Sequence, residues 1–249
     1  MELTVIGASS RYLAPLGAGS SYLVTEGETR VLVDCGNGTS IRLGHELGDR
    51  PLSAVVVSHF HLDTVADLFP VAQALPLSTP IFVPDGAKPK LQQLMRAYGI
   101  DRPTRERTLI EGVSRISVKD IGSLRLTFER SAHGCPGVAT RFTSRVSGQS
   151  LVYLSDTGPR PWLAEFARGA DVLIAHTLHL DRQVGRATRH NLTAGAAGRL
   201  AREAGVSRLA LSHIPFYANA EESHAEAKSE FGGETLVLRE GQRLPIRSP

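Results

Sequence analysis

Two histidines and an aspartate, spaced His59-x-His61-x-Asp63, follow directly on the apolar run Ala54-Val55-Val56-Val57. The run is β-branched and short, so it reads as a buried strand, and Val65-Ala66-Asp67-Leu68-Phe69 beyond the motif reads as the start of a helix. The polar side chains therefore sit on the turn leaving a strand, where two-residue alternation lets both imidazoles face one way. Imidazole nitrogens with a carboxylate oxygen suit zinc or a similar borderline cation, and an open coordination position would make such a metal catalytic. A pair of surface histidines in a loop is the plain alternative.

Composition narrows the setting. With 249 residues, 41% hydrophobic and 21% charged, the chain can bury a substantial core, and one α/β domain over residues 1–249 is expected. No apolar run approaches the roughly 18 residues that span a bilayer, and Met1-Glu2-Leu3-Thr4-Val5-Ile6-Gly7 leads straight into a strand. Two cysteines, Cys35 and Cys135, are too few for a disulfide scaffold, so a cytoplasmic, reducing location with no membrane contact is expected. Cys135 follows His133 by two residues and reads either as a thiolate ligand or as a small semi-buried thiol. A formal charge of +3 favours anionic substrates without demanding nucleic acid. Arg182, Arg186 and Arg189 crowd one segment, consistent with either a solvated loop or a phosphate-recruiting one.

Along the chain, residues 2–6 read as a first strand and Gly7 to Gly19, with Pro15, as a turn-rich loop. Two strands at 21–24 and 29–34 are joined by the hairpin signal Glu26-Gly27-Glu28, and a helix is expected over 39–47. A helix from the histidine motif to Leu75, a strand at 80–84, an amphipathic helix from Lys88 to Tyr98 and short strands over 107–130 follow. The second half echoes the first: strands near 138–145, 150–155, 171–175, 209–211 and 235–238, with helices near 161–168, 193–204 and 219–230. Two similar halves of this kind predict two facing sheets with helices outside. The glycine-rich segments lack the lysine spacing of a phosphate loop.

Further polar residues recur where apolar runs end. His133 follows Phe128-Glu129-Arg130-Ser131-Ala132, Asp156 follows Leu151-Val152-Tyr153-Leu154-Ser155, His176 follows Val172-Leu173-Ile174-Ala175, and His213 follows Leu209-Ala210-Leu211-Ser212. His190 opens the helix entry Asn191-Leu192-Thr193. The ordered set His59-x-His61-x-Asp63, His133, Ser155-Asp156-Thr157-Gly158 and Ser212-His213-Ile214-Pro215 resembles the metallo-β-lactamase-fold hydrolases over essentially the whole chain. Tyr153-Leu154-Ser155-Asp156-Thr157-Gly158-Pro159 and the His190 helix entry are most similar to the branch containing RNase Z and small phosphodiesterases.

The resemblance implies a four-layer αββα sandwich, of class α/β (α+β), with one or two zinc ions, or manganese, at the sheet edge. It implies His59, His61 and His133 on a first metal, a bridging Asp156, and Asp63 with His213 on a second. Catalytic roles fall to Asp63, to His190 as general acid or phosphate donor, and to the position of His176. The implied reaction is hydrolysis of a small anionic phosphodiester or cyclic nucleotide, and the implied assembly a homodimer. An RNase Z-like ribonuclease acting on RNA, a lactone or ester hydrolase, and a divergent non-catalytic metal-binding member are the alternatives. Two positions depart from the family pattern. Thr64 stands where the motif usually has a second-metal histidine, and His176 stands where the phosphodiesterase-like members carry a glutamate that orients the catalytic histidine. His176 or His179 is the candidate replacement ligand.

Overall fold

In the computed structural model, residues 1–10, 17–76, 78–99, 110–183, 185 and 189–247 are described. One sheet is built from β1 (Glu2–Gly7), β2 (Ser21–Glu26), β3 (Thr29–Val33), β4 (Ala54–Val56), β5 (Ile81–Pro84), β6 (Ile110–Val113) and β15 (Arg243–Pro245), in the order β15-β1-β2-β3-β4-β5-β6. The other is built from β7 (Val118–Ile121), β8 (Leu124–Arg130), β9 (Val138–Ser144), β10 (Ser150–Leu154), β11 (Val172–His179), β13 (Arg208–Ser212) and β14 (Glu234–Val237). Its order is β14-β13-β11-β10-β9-β8-β7, with the short β12 (Leu192–Thr193) paired to β11.

Strand alternation divides the apolar residues among three core layers. Tyr22, Val24, Val31, Val33, Phe128, Tyr153, Val172, Ile174 and Ala210 meet between the sheets. Their neighbours Leu23, Leu32, Val55 and Val57 face outward, under α1 (Thr39–Leu47), α3 (Leu68–Ala74) and α4 (Lys88–Ala97). Val152, Leu173, Leu209 and Leu211 lie under α5 (Pro161–Ala167), α6 (Ala194–Ala204) and α7 (Ala220–Phe231). Strands buried on both faces explain why their sequences read as continuous apolar runs. The result is the expected αββα sandwich. Among the described residues no helix is long and apolar enough to cross a membrane.

Three local expectations change. The helix expected to run on to Leu75 is two short pieces, α2 (Leu62–Val65) and α3. The Asp67 amide donates to the Cys35 carbonyl at 2.9 Å and the Asp67 carboxylate accepts from the Ser40 amide and hydroxyl, which diverts the chain from a helical ladder. β15 is short, ends in proline and escapes periodicity, yet it edges the first sheet beside β1. Pro15, residues 107–109 and Arg186 lie outside the described residues.

Candidate metal centre

The strand ends of both sheets converge on one edge, and the loops there are locked together. Val138 donates to the Ser58 carbonyl at 2.9 Å, and Ser131 to the Gly137 carbonyl at 3.0 Å, closing the loop that carries His133 beside the His59 turn. Gly158 passes directly under residue 189: a Cβ there would run into the Arg189 carbonyl oxygen. Gly36 plays the same part beneath the Asp63 carbonyl. These two close approaches require glycine, and they draw the His190 and Asp63 segments onto the strand ends.

Three imidazoles then meet through their nitrogens. His59 Nε2 lies 3.1 Å from His61 Nδ1, which lies 3.2 Å from His133 Nε2. The rings are turned across one another by 71° to 80°, so their lone pairs converge. Zinc bonds of roughly 2.0–2.1 Å in a tetrahedron put neighbouring ligand atoms roughly 3.3 Å apart, and this spacing matches. Asp156 Oδ2 completes the set at 3.8 Å from His133 and 4.0 Å from His59.

The other oxygen of Asp156 faces a second group. Oδ1 is 3.6 Å from His213 Nε2, which is 3.3 Å from Asp63 Oδ2. His213 is buried, and its Nε2 makes no hydrogen bond among the described residues, although two carboxylates flank it. A buried nitrogen facing two carboxylates in this way fits a cation between them. Its other nitrogen is 2.7 Å from Ser20 Oγ, which fixes the ring. His213 holds φ at 62°, a left-handed conformation rare for a side-chain-bearing residue, as does Asp34 at 59°.

Burial and neighbouring charge set the protonation states. Burial pushes His59 down to about 3, leaving a neutral ring with a lone pair to give. Burial likewise lowers His176, to about 4, with His213 adding to it. Burial works to raise Asp156, but His213, His176 and His59 together hold it far below the usual carboxylate range. Burial opposes a charged His213, and the Asp156 and Asp63 carboxylates outweigh it. Imidazole nitrogens beside ionised carboxylates are the donor set that zinc or manganese would take: His59, His61, His133 and Asp156 cluster on one side, and Asp156, His213 and His176 on the other, with Asp63 against His213.

Both departures from the family pattern have a physical reading. Thr64 is fully buried, and its hydroxyl is spent on the carbonyl oxygens of His59 and His61, each at 2.9 Å. It braces the turn. His176 packs against Asp156, with Nδ1 3.1 Å from Oδ1, and no described contact joins it to His190, so the orienting contact expected between the two is not made. His179 pairs with Thr193 at the end of β11 and belongs to neither ligand group. His190 is exposed at the rim; its carbonyl is 2.8 Å from His133 Nδ1 and its ring centroid is 6.3 Å from that of His133. Cys135 Sγ stands 3.9 Å from His61 Nε2, behind the ligating side of the ring. Arg182 is paired to Glu222 at 2.6 Å, which favours the solvated-loop reading for that arginine.

Sequence reasoning missed Asp34, Ser58, Tyr22 and Tyr153, which line the floor. Asp34 Oδ2 accepts from Ser58 Oγ at 2.7 Å and from Tyr153 at 2.6 Å. A carboxylate placed directly after the all-buried run of β3 was the available signal.

Residues 29–214 match the family model described as a beta-lactamase superfamily domain. The probable metallo-hydrolase YhfI of Bacillus subtilis is 29% identical across 97% of this chain and 98% of its own. The crystal structure of that metallo-beta-lactamase fold protein superposes with a TM-score of 0.83 over 98% of both chains, at 27% identity. A ribonuclease Z of Haloferax volcanii is 28% identical over 99% of this chain and 95% of its own. A diphosphatase from the PhnP family shares the fold, with a TM-score of 0.73 over 98% of this chain and 96% of its own, at 16% identity.

Proposed function

Because the chain belongs to the metallo-β-lactamase superfamily of metal-dependent hydrolases, we propose that it is a phosphodiesterase acting on a small anionic phosphodiester or cyclic nucleotide. One observation carries this reading: a single buried carboxylate, Asp156, faces the three-histidine cluster with one oxygen and His213 with the other. Two donor sets sharing a carboxylate would suit paired ions, which when bound would supply Lewis-acid activation of water and charge stabilisation for a displacement at phosphorus.

The chain's own groups divide the remaining work. Water adds to phosphorus as a P–O bond to the departing alcohol breaks. Asp63 lies 3.3 Å from His213, beside the shared Asp156, where its carboxylate can take the proton the water gives up. His190 stands at the open rim beside His133, where a side chain can reach the departing oxygen and supply its proton. The Ser20 contact keeps His213 in place while charge moves at the centre.

The test is hydrolysis of bis(p-nitrophenyl) phosphate by the zinc- or manganese-loaded chain, against His59→Ala and His190→Ala. Turnover lost in His59→Ala and strongly reduced in His190→Ala supports the reading. Ester or lactone turnover that survives His190→Ala, with no phosphodiester turnover, would replace it with carbonyl chemistry. The ribonuclease Z relative favours a second reading, a ribonuclease, which cleavage of a precursor tRNA in the same preparations would establish.

A further inference from the structure

We propose that His176 is a positioning residue of the metal centre, holding the shared Asp156 carboxylate by a hydrogen bond from Nδ1 and ligating no ion itself. This rests on the metal centre described above, not on the identity of the substrate.

Strand parity puts the ring there. Val172 and Ile174 of β11 face the inter-sheet core, so His176 points the same way, to the top of that core. It meets Tyr22 of β2, Tyr153 of β10 and Ser212 of β13, which arrive on the same inner face, and all four are buried. Asp156 can only accept, so the proton of a neutral His176 lies on Nδ1, 3.1 Å from Oδ1. Nε2 is then an acceptor, with the hydroxyls of Tyr153 at 3.1 Å and Tyr22 at 3.2 Å beside it. Both ring nitrogens are accounted for without a metal.

Ring orientation separates positioning from ligation. An imidazole offers its lone pair in the ring plane, and the first three histidines, crossed at 71° to 80°, aim theirs at one point. His176 instead lies 3° from parallel to His213 with centroids 4.3 Å apart. That separation is too small for coplanar rings, so the two are stacked face to face and their lone pairs lie in different planes. One ion cannot sit in both.

The same floor reaches the other ligand set. Tyr153 donates to Asp34 at 2.6 Å, Ser58 Oγ donates to Asp34 at 2.7 Å, and His59 Nδ1 is 3.0 Å from Ser58 Oγ. With His59 Nε2 turned to the centre, Nδ1 carries the proton and gives it to Ser58, whose own hydrogen goes to Asp34. Because the Tyr153 hydrogen goes to Asp34, Tyr22 is the hydroxyl that can donate to His176 Nε2, and two buried runs, Asp156–His176–Tyr22 and Tyr153–Asp34–Ser58–His59, meet where the Tyr22 and Tyr153 rings pack with centroids 5.2 Å apart. A histidine at position 176 supplies a donor toward Asp156 that a carboxylate could not.

The experiment compares wild type, His176→Asn and His176→Gln by zinc competition against a chromogenic chelator, with bound zinc counted at saturation. An asparagine amide nitrogen falls near the place of Nδ1 and a glutamine amide nitrogen near that of Nε2, so only the first can replace the bond to Asp156. We expect Asn to bind within about threefold of wild type and Gln to bind about 10–100-fold more weakly, the usual loss for an outer contact, with equal zinc at saturation in all three. Equal affinities in the two variants of a zinc-binding chain would overturn the role. So would one fewer ion at saturation in both variants, which would make His176 a ligand. A wild-type chain that binds no zinc would remove the metal centre itself, a failure distinguishable from the other two.

Discussion

The two halves of the centre share Asp156 and differ in almost everything else. The His59, His61 and His133 half opens to solvent through an exposed His61 and a half-buried His133, and its rings cross so that their nitrogens meet. The His213 half is buried throughout, its one ring is stacked on His176, and the threonine beside Asp63 turns its hydroxyl to the backbone. An open set of four donors can load and exchange an ion readily. A closed set of three, lacking one imidazole, would hold an ion less well and would depend on the surrounding polar floor.

The largest effect should come from breaking the open half. His59→Ala is expected to remove tightly held zinc and cut turnover by more than about 100-fold, beyond what the loss of an outer contact costs. Elemental analysis after dialysis and the phosphodiester assay check both. Asp63→Ala should spare that tight ion, so matching losses of zinc in the two variants would erase the distinction between the halves.

Sharpening the closed half is the next step. Thr64→His restores a fourth donor and should raise zinc from about one toward two ions per chain, since a four-coordinate site is the preferred one. Unchanged stoichiometry would mean another group already fills that position. Tyr153→Phe removes a donor to buried Asp34 and should cost roughly 1–3 kcal/mol in urea denaturation, the range for leaving a buried polar group without a partner.

A further effect is a pH dependence of the metal-free protein. Burial raises Asp34 from 3.8 to about 7, against the pull of hydrogen bonds from Ser58 and Tyr153. Between those values the folded chain keeps a proton that the unfolded chain has released, so this group's contribution to stability falls as pH rises through the window. Thermal unfolding of metal-free wild type and Asp34→Asn should show wild type losing stability relative to the variant from about pH 4 to about pH 7. Parallel curves would assign the dependence elsewhere.

Much of this centre was legible in the sequence because its parts are local. Apart from His133, each proposed ligand lies just beyond an apolar run, and the parity of Ala54 to Val57 carries into the arrangement of His59 and His61. The departure at Thr64 was also visible, while its bracing role was not, because it depends on where the turn carbonyls point. The floor was hidden for a different reason. Tyr22, Asp34, Tyr153 and His176 lie on separate strands or their ends, in both sheets, and only the packing of the sheets joins them. Alternation alone marks Tyr22 and Tyr153 as core aromatics, which their rings are; their hydroxyls do the remaining work. The break between α2 and α3 was hidden likewise, since the Cys35 and Ser40 contacts that cause it come from another segment.

The most direct test of the account is the rate of bis(p-nitrophenyl) phosphate hydrolysis before chelation, after chelation, and after zinc or manganese is returned. The account predicts turnover that disappears with the metal and comes back with it. A chain that retakes its metal at His59, His61, His133 and Asp156 yet hydrolyses no phosphodiester would contradict it.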